Sequence, residues 1–376
     1  MTQLRKLSEL PDMHLEAGVL GVLTLLLWIQ ALFTSPYHEQ SIDSLRGDWM
    51  VPLAVFAFGL LYCRRIVRDI GLEAAGRLIG TITIAALHAM FLFFLFEQGW
   101  VWLREGSFPF GYARFGNRDN LSVLTNTGLS LVITDILARS ILKKKASFLP
   151  APLLYTLLIL GLLATYTLTT RNGTVGVMLF LIAMTGMLLS RHSISPKTLV
   201  VGAVLTVAVA LLAIGSYNTV SRWQNLSESG NIALDTEHQR FWLNDKIFPR
   251  PQTTSGTPLE ESAYMRIVWA KEALKQIIKH PVGAGYNHQA LGSAIRLEYD
   301  GPIRVGASHN GLLELTLGGG VPALVLWLTF TAILLRRGWV SFFKHSHLTG
   351  HRLEMFMPLS ALFIGPRSAQ TDDRAQ

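Results

Sequence analysis

Apolar runs long enough to cross a bilayer recur along this chain, and one long hydrophilic segment interrupts them. This pattern constrains the fold more than any single motif. A backbone surrounded by lipid must satisfy its N–H and C=O groups internally, which leaves helices as the workable solution for runs of this length. Eight runs have spanning character, at about 17–33, 49–63, 78–96, 121–139, 148–169, 173–190, 198–215 and 309–335. The second is short for the ~20 residues that a spanning helix needs. A ninth, about 353–365, is shorter still and closes on Gly365-Pro366, as a re-entrant or interfacial segment would. Only 15% of the residues are charged, against roughly 25% in an ordinary soluble domain. The expectation is an all-α polytopic membrane protein in three parts. These are N-terminal transmembrane helices over 1–215, one large outer loop over 216–308, and a C-terminal transmembrane helix with its tail over 309–376.

Basic residues orient this array. With the N-terminus inside, the inner loops hold sixteen Lys/Arg, among them Arg64, Arg65, Arg68, Lys143, Lys144, Lys145, Arg336 and Arg337. The short outer loops hold five: Arg46, Arg104, Arg114, Arg118 and Arg171. The segment 216–308 is then extracytoplasmic. It has ten Lys/Arg against nine Asp/Glu, so the formal net charge of +8 is topological and gives no argument for nucleic acid. The first run follows Arg5 and Lys6 without a small-x-small cleavage site and reads as a retained helix. Cys63 is the only cysteine and falls at the inner end of a run, so no disulfide is expected to hold the loop.

Within the loop, Thr257-Pro258-Leu259-Glu260 has the form of a capping box with proline at the first helical position. It predicts an amphipathic helix over about 258–280, stopped by Pro281. On a helical wheel Leu259, Ala263, Ile267, Ala270, Ala273, Leu274, Ile277 and Ile278 share one arc, with Glu261, Lys271, Glu272, Lys275 and Lys279 mostly opposite. Arg266 falls inside the apolar arc. A guanidinium there is costly to bury unless an anion meets it, and Glu260, Glu314 or a ligand phosphate would each serve. Val282-Gly283-Ala284-Gly285-Tyr286 follows, flexible enough for backbone to approach a ligand closely. The final helix contains Gly318-Gly319-Gly320-Val321-Pro322, which predicts a kink or a break.

Ser308-His309-Asn310 marks the return from the loop into lipid. His309 reads either as an interfacial cap of the final helix or as a general base, for which a histidine neutral at pH 7 is suited. Arg171, in the turn Thr170-Arg171-Asn172-Gly173, reads either as an arginine reaching toward lipid head groups or as an anion contact. Arg114 and Arg118 are open to the same two readings. Metal readings are weak. Glu298-Tyr299-Asp300 has the look of a solvated turn, and His345, His347 and His351 lie among inner-side cations.

Four segments in order resemble the motifs of the O-antigen ligase and polymerase superfamily of bacterial envelope glycosyltransferases. They are Arg114-Phe115-Gly116-Asn117-Arg118-Asp119-Asn120, Thr170-Arg171-Asn172-Gly173, Tyr264–Trp269 with His280-Pro281-Val282-Gly283-Ala284-Gly285, and Ser308-His309-Asn310 before a Gly-rich helix. The resemblance covers roughly 110–335 and favours the ligase branch, because one outer loop dominates. It implies a GT-C-like helical bundle that moves a glycan from undecaprenyl diphosphate to the lipid A–core oligosaccharide, at the periplasmic face of the inner membrane. It also implies His309 as the base, and Arg171, Arg266, Arg114 and Asn310 on substrate. No cofactor or metal is called for, since arginines can balance a diphosphate leaving group. Chain polymerisation, transfer to protein, and non-enzymatic transport of a lipid-linked glycan are the alternatives.

Overall fold

The computed structural model describes residues 13–109, 118–142, 147–168, 226–236, 238–252 and 261–344, with scattered positions between them. Among the described residues the fold is all-α without a β-sheet, and five helices are long and apolar enough to cross a membrane. The protein is thus a multi-pass membrane protein. In order, the helices are α1 (His14–Phe33), α2 (His38–Ile70), α3 (Leu72–Glu105), α4 (Arg118–Leu142), α5 (Ala151–Leu168), α6 (Leu226–Ala233), α7 (Glu261–Lys279), α8 (Ala290–Glu298) and α9 (Gly311–Lys344). Of these, α1, α2, α3, α5 and α9 carry the five spanning segments, and α4 contains a shorter apolar stretch, Leu121–Ile136. The runs expected at 173–190 and 198–215 fall largely, and the one at 353–365 wholly, outside the described residues.

The run expected at 49–63 proves to be part of a longer helix. α2 has 33 residues, because the polar stretch before the run is helical too. Leu45–Met50 winds as a π-helix, and Ser41 and Ser44 are buried. Polar residues that pack against protein do not register in a hydropathy reading. α3, at 34 residues, also outruns its apolar stretch. Gly71 (φ 85°) turns the chain out of α2, and Gly106 (φ 70°) closes α3 as a left-handed C-cap whose N–H donates to the Trp102 carbonyl.

Two compact units emerge, one built mainly on 62–220 and the other on 12–61 with 221–333. In the first, α3, α4 and α5 close on small residues. A Cβ on Gly161 would lie 2.5 Å from Leu129 Cδ2, and one on Gly128 would lie 2.8 Å from Phe91 Cζ. Such close approach substitutes for the hydrophobic driving force that lipid removes. At the end of α4, Arg139 donates to both carboxylate oxygens of the fully buried Asp135, at 2.9 and 3.0 Å, and to the Leu149 carbonyl at 2.5 Å. Ser147 donates its hydroxyl to the same carboxylate, so the pair fixes the chain entering α5.

In the second unit, the two glycine-rich stretches answer one another. α9 breaks at Gly320 (φ 73°, ψ 179°), as its Gly-Gly-Gly-Val-Pro run predicts. The loop 281–285 lies in the break. Ala284 N–H donates to Leu317 O, Gly285 N–H to Gly318 O, and Val321 N–H to Pro281 O, all at 2.8–2.9 Å. A Cβ on Gly283 would sit 2.4 Å from Gly320 N, and one on Gly318 would sit 2.6 Å from Tyr286 Cα. The expectation that Gly283 and Gly285 let backbone approach a ligand therefore needs correction, because Gly283 lies against the backbone of α9 and Gly285 against Ser35. Gln30 of α1 completes the junction. Its side-chain amide donates to Val282 O (2.5 Å) and Gly319 O (2.9 Å).

The amphipathic helix also differs from its wheel. It starts at Glu261, while Leu259 is non-helical and donates its N–H to Pro251 O. Thr257, Pro258 and Glu260 lie outside the described residues. The buried face carries Tyr264, Met265, Val268, Glu272, Ala273 and Gln276, whereas Leu274 and Ile278 are exposed. Rotation of the buried face follows from polar pairing: Gln276 donates to Glu298 of α8, and Lys275 lies 3.6 Å from Glu272. Glu298 also accepts from Lys279, which together with Gln276 holds its carboxyl below the usual range.

Candidate active site

The chain enters α9 through a turn set by its own side chains. Asn310 caps the helix, its Oδ1 accepting from Leu312 N–H (3.0 Å) and Leu313 N–H (3.3 Å). These are two of the donors that a helix start leaves unpaired. Ser308 Oγ accepts from Asn310 N–H at 3.3 Å and donates to the Asn310 carbonyl at 3.2 Å. Between the two stands His309 with φ 55°, the one non-glycine residue of positive φ among the described residues. A left-handed non-glycine residue costs on the order of 1–3 kcal/mol and persists only where its surroundings over-determine it.

The His309 imidazole lies against the indole of Trp269 on α7, ring centroids 5.1 Å apart and planes 31° apart. Trp269 Nε1 is buried without a hydrogen-bond partner among the described residues. Arg266 precedes Trp269 by three positions and therefore shares its side of the helix. It is half-buried, and no hydrogen bond or ion pair engages it among the described residues. Of the three anions weighed for Arg266, Glu314 is committed elsewhere. Its Oε2 accepts from Ala290 N–H at 2.8 Å and its Oε1 from Ser308 N–H. Glu260 lies outside the described residues.

The two buried tyrosines of this unit offer no rival base. Burial pushes the Tyr264 phenol up to about 12 and raises that of Tyr286 further, so both stay protonated at neutral pH. A second polar cluster stands at the start of α2. Ser44 Oγ lies 2.9 Å from His288 Nδ1 and accepts the His288 N–H at 3.2 Å, with Asp48 Oδ2 4.0 Å from the same ring.

The model of the family described as O-antigen ligase matches residues 156–328. Over this stretch, a little under half of its length, the chain is similar to the O-antigen ligase family. It is an enzyme, a membrane-embedded glycosyltransferase of O-antigen ligase-like kind. The matched region runs from α5 into the far half of α9, and takes in α7 and the His309 turn. No curated protein and no solved structure matches the chain.

Within the matched region, the structure brings His309 against Trp269, on the side of α7 that Arg266 shares. Arg171 and Arg114 lie outside the described residues. Asn310 has its side-chain Oδ1 committed to capping α9. Sequence reasoning passed over Trp269 and the His288 cluster. Trp269 carries a usable signal in its spacing of three from Arg266. The His288 cluster carries none, because Ser44 and Asp48 reach it from far along the chain. Among the described residues no group of three or more His, Cys, Asp or Glu is placed to hold a metal ion. His345, His347 and His351 lie outside them.

Proposed function

We propose that this enzyme transfers a glycan from undecaprenyl diphosphate to the lipid A–core oligosaccharide at the periplasmic face of the bacterial inner membrane, with His309 as general base. The observation that carries this reading is His309, held in a left-handed turn against Trp269, on the side of α7 shared by Arg266, which no hydrogen bond or ion pair engages among the described residues. One group is suited to take a proton and the other to meet an anion.

In the reaction, the acceptor hydroxyl oxygen attacks the anomeric carbon of the lipid-linked glycan. The bond from that carbon to the diphosphate oxygen breaks, and undecaprenyl diphosphate leaves with the electron pair. The hydroxyl proton passes to the neutral imidazole of His309. Arg266 balances charge on the diphosphate, where charge-assisted and bidentate contacts are strongest. By family resemblance, Arg171 and Arg114 add further contacts to the donor, and the Asn310 amide contacts substrate. A diphosphate leaves as a stabilised anion, so arginines can supply the required charge.

Expression in a ligase-deficient strain tests the activity: long glycan should appear on lipid A–core, and its absence beside normal membrane insertion would reject the acceptor assignment. His309→Ala should insert normally and lose transfer by about 10²–10⁴-fold. Near-normal transfer by that variant would remove His309 as base. Sidedness is tested separately with Cys63 replaced and cysteines introduced at Asn172 and Ser255. Both should react with an impermeant thiol reagent in intact spheroplasts, and labelling only after lysis would place the loop on the other side.

A further inference from the structure

We propose that Glu314 is the positioning residue of the base: its buried carboxylate ties the Ser308–His309 turn to the N-terminus of α8 and so fixes where the imidazole points. The proposal rests on the reading of His309 as general base.

Glu314 stands in the first turn of α9, its own N–H donating to the Asn310 carbonyl at 2.9 Å. Its side chain is buried, 4% exposed, and its two oxygens serve two different segments. One accepts from Ala290 N–H, the first residue of α8, at 2.8 Å, and the other accepts from Ser308 N–H. α8 has no side-chain cap of its own from Gln289. A carboxyl oxygen brought in from α9 therefore supplies the missing acceptor at that helix start. A second tie runs beside it, Gly292 N–H to Gly306 O at 2.7 Å, and a Cβ on Gly292 would meet Val305 O at 2.2 Å. The approach to His309 is thus pressed onto α8.

The consequence falls on one residue. Glu314 holds the N–H of Ser308, the residue before His309, and the Ser308 hydroxyl accepts from the N–H of Asn310, the residue after it. A histidine at φ 55° needs such constraint on both flanks, because relaxation to ordinary backbone angles would swing its ring away from Trp269. Glu314 touches neither donor nor acceptor in this scheme. It acts through His309.

A carboxylate is required because both neighbours are N–H donors. Glutamine is nearly isosteric, but its amide offers one acceptor and sets an NH₂ group against the other donor. Aspartate keeps the charge and is one methylene short of bridging the two. The test compares Glu314→Gln, His309→Ala and the double variant as full-length chains in detergent, with undecaprenyl-diphosphate-linked glycan and lipid A–core. Thermal unfolding is recorded alongside. Glu314→Gln should lower kcat by roughly 10–100-fold with the donor KM within about twofold, as expected for a part of one acid–base contribution. On the His309→Ala background the same change should cost nothing further, because two residues acting through one group are not additive.

Normal kcat in Glu314→Gln beside an impaired His309→Ala would overturn the positioning role and leave the base assignment standing. An equal loss in both backgrounds would also overturn it, by showing that Glu314 acts elsewhere. Near-normal turnover in His309→Ala would remove the base and the positioning role together. If Glu314→Gln does not fold, Glu314→Asp carries the same comparison, and full kcat in that variant would equally reject the proposal.

Discussion

Two arginines in half-buried settings receive opposite treatment. At the α4–α5 corner, Arg139 meets Asp135 through two hydrogen bonds and the Leu149 carbonyl through a third, and Ser147 closes the carboxylate from the far side. On α7, Arg266 meets no such partner among the described residues. A charge answered by its own protein is part of the scaffold. Under the proposed function, the charge on Arg266 would meet an anion from outside. With the proposed function, the contrast predicts effects on stability in the first region and on turnover in the second, and each is open to experiment.

The largest expected effect lies in the closed region. Asp135→Ala leaves a buried guanidinium unpaired and should destabilise the protein by about 3–5 kcal/mol. Activity per folded molecule should be retained. Adding Arg139→Leu should recover much of the stability, since an apolar pair avoids the desolvation penalty. Loss of turnover in correctly folded Asp135→Ala would erase the distinction between the regions.

Arg266→Ala should act the other way. Thermal stability stays close to wild type, while kcat/KM for the lipid-linked donor falls. Hydrogen bonds to charged groups are worth about 1.5–3 kcal/mol, roughly 10- to 150-fold. Arg266→Lys keeps the charge without the planar fork and should recover only part of the loss. Titrating donor and acceptor separately decides the point. A defect confined to acceptor affinity would reject the diphosphate contact.

The smallest effect concerns the acid stability of the contact between α7 and α8. Glu298 accepts hydrogen bonds from Lys279 and Gln276, which hold its pKa below its ordinary 4.5. A lowered carboxylate contributes stability that is present above 4.5 and lost as pH falls through its folded value. Glu298→Gln should therefore melt slightly below wild type at pH 6, and the gap should close toward pH 3. For a partly exposed pair the effect is at most about 1 kcal/mol. A gap that widens on acidification would contradict the pairing.

These regions were unequally legible in the sequence. Spanning helices were legible because lipid allows few solutions, although the extra turns of α2 and α3 were not, since Ser41 and Ser44 pack against protein and lower the hydropathy. The break in α9 was legible from Gly318-Gly319-Gly320-Val321-Pro322. Its partner was legible only as flexibility, since nothing local in Gly283-Ala284-Gly285 says which backbone it meets. The wheel of α7 misplaced Leu274 and Ile278 because it assumed that apolar means inward. In fact Glu272 and Gln276 are drawn in by pairing with Lys275 and Glu298. His309 and Arg266 stood out as residue types in unusual places. Glu314 stood out as well, but its role depends on three segments converging and could not be read from spacing.

The interlock of 281–285 with the break in α9 also sets an order of assembly. Residues 221–310 leave the ribosome before the helix that completes them, so Ala284 and Gly285 have no acceptors until α9 is in place. Gln30, inserted far earlier, likewise waits for Val282 and Gly319. The last described helix is in this sense the key that locks an already translated extramembrane segment onto the first. Residues 221–310 expressed without α9 would lack that lock, and the N–H groups of Ala284 and Gly285 would turn to water.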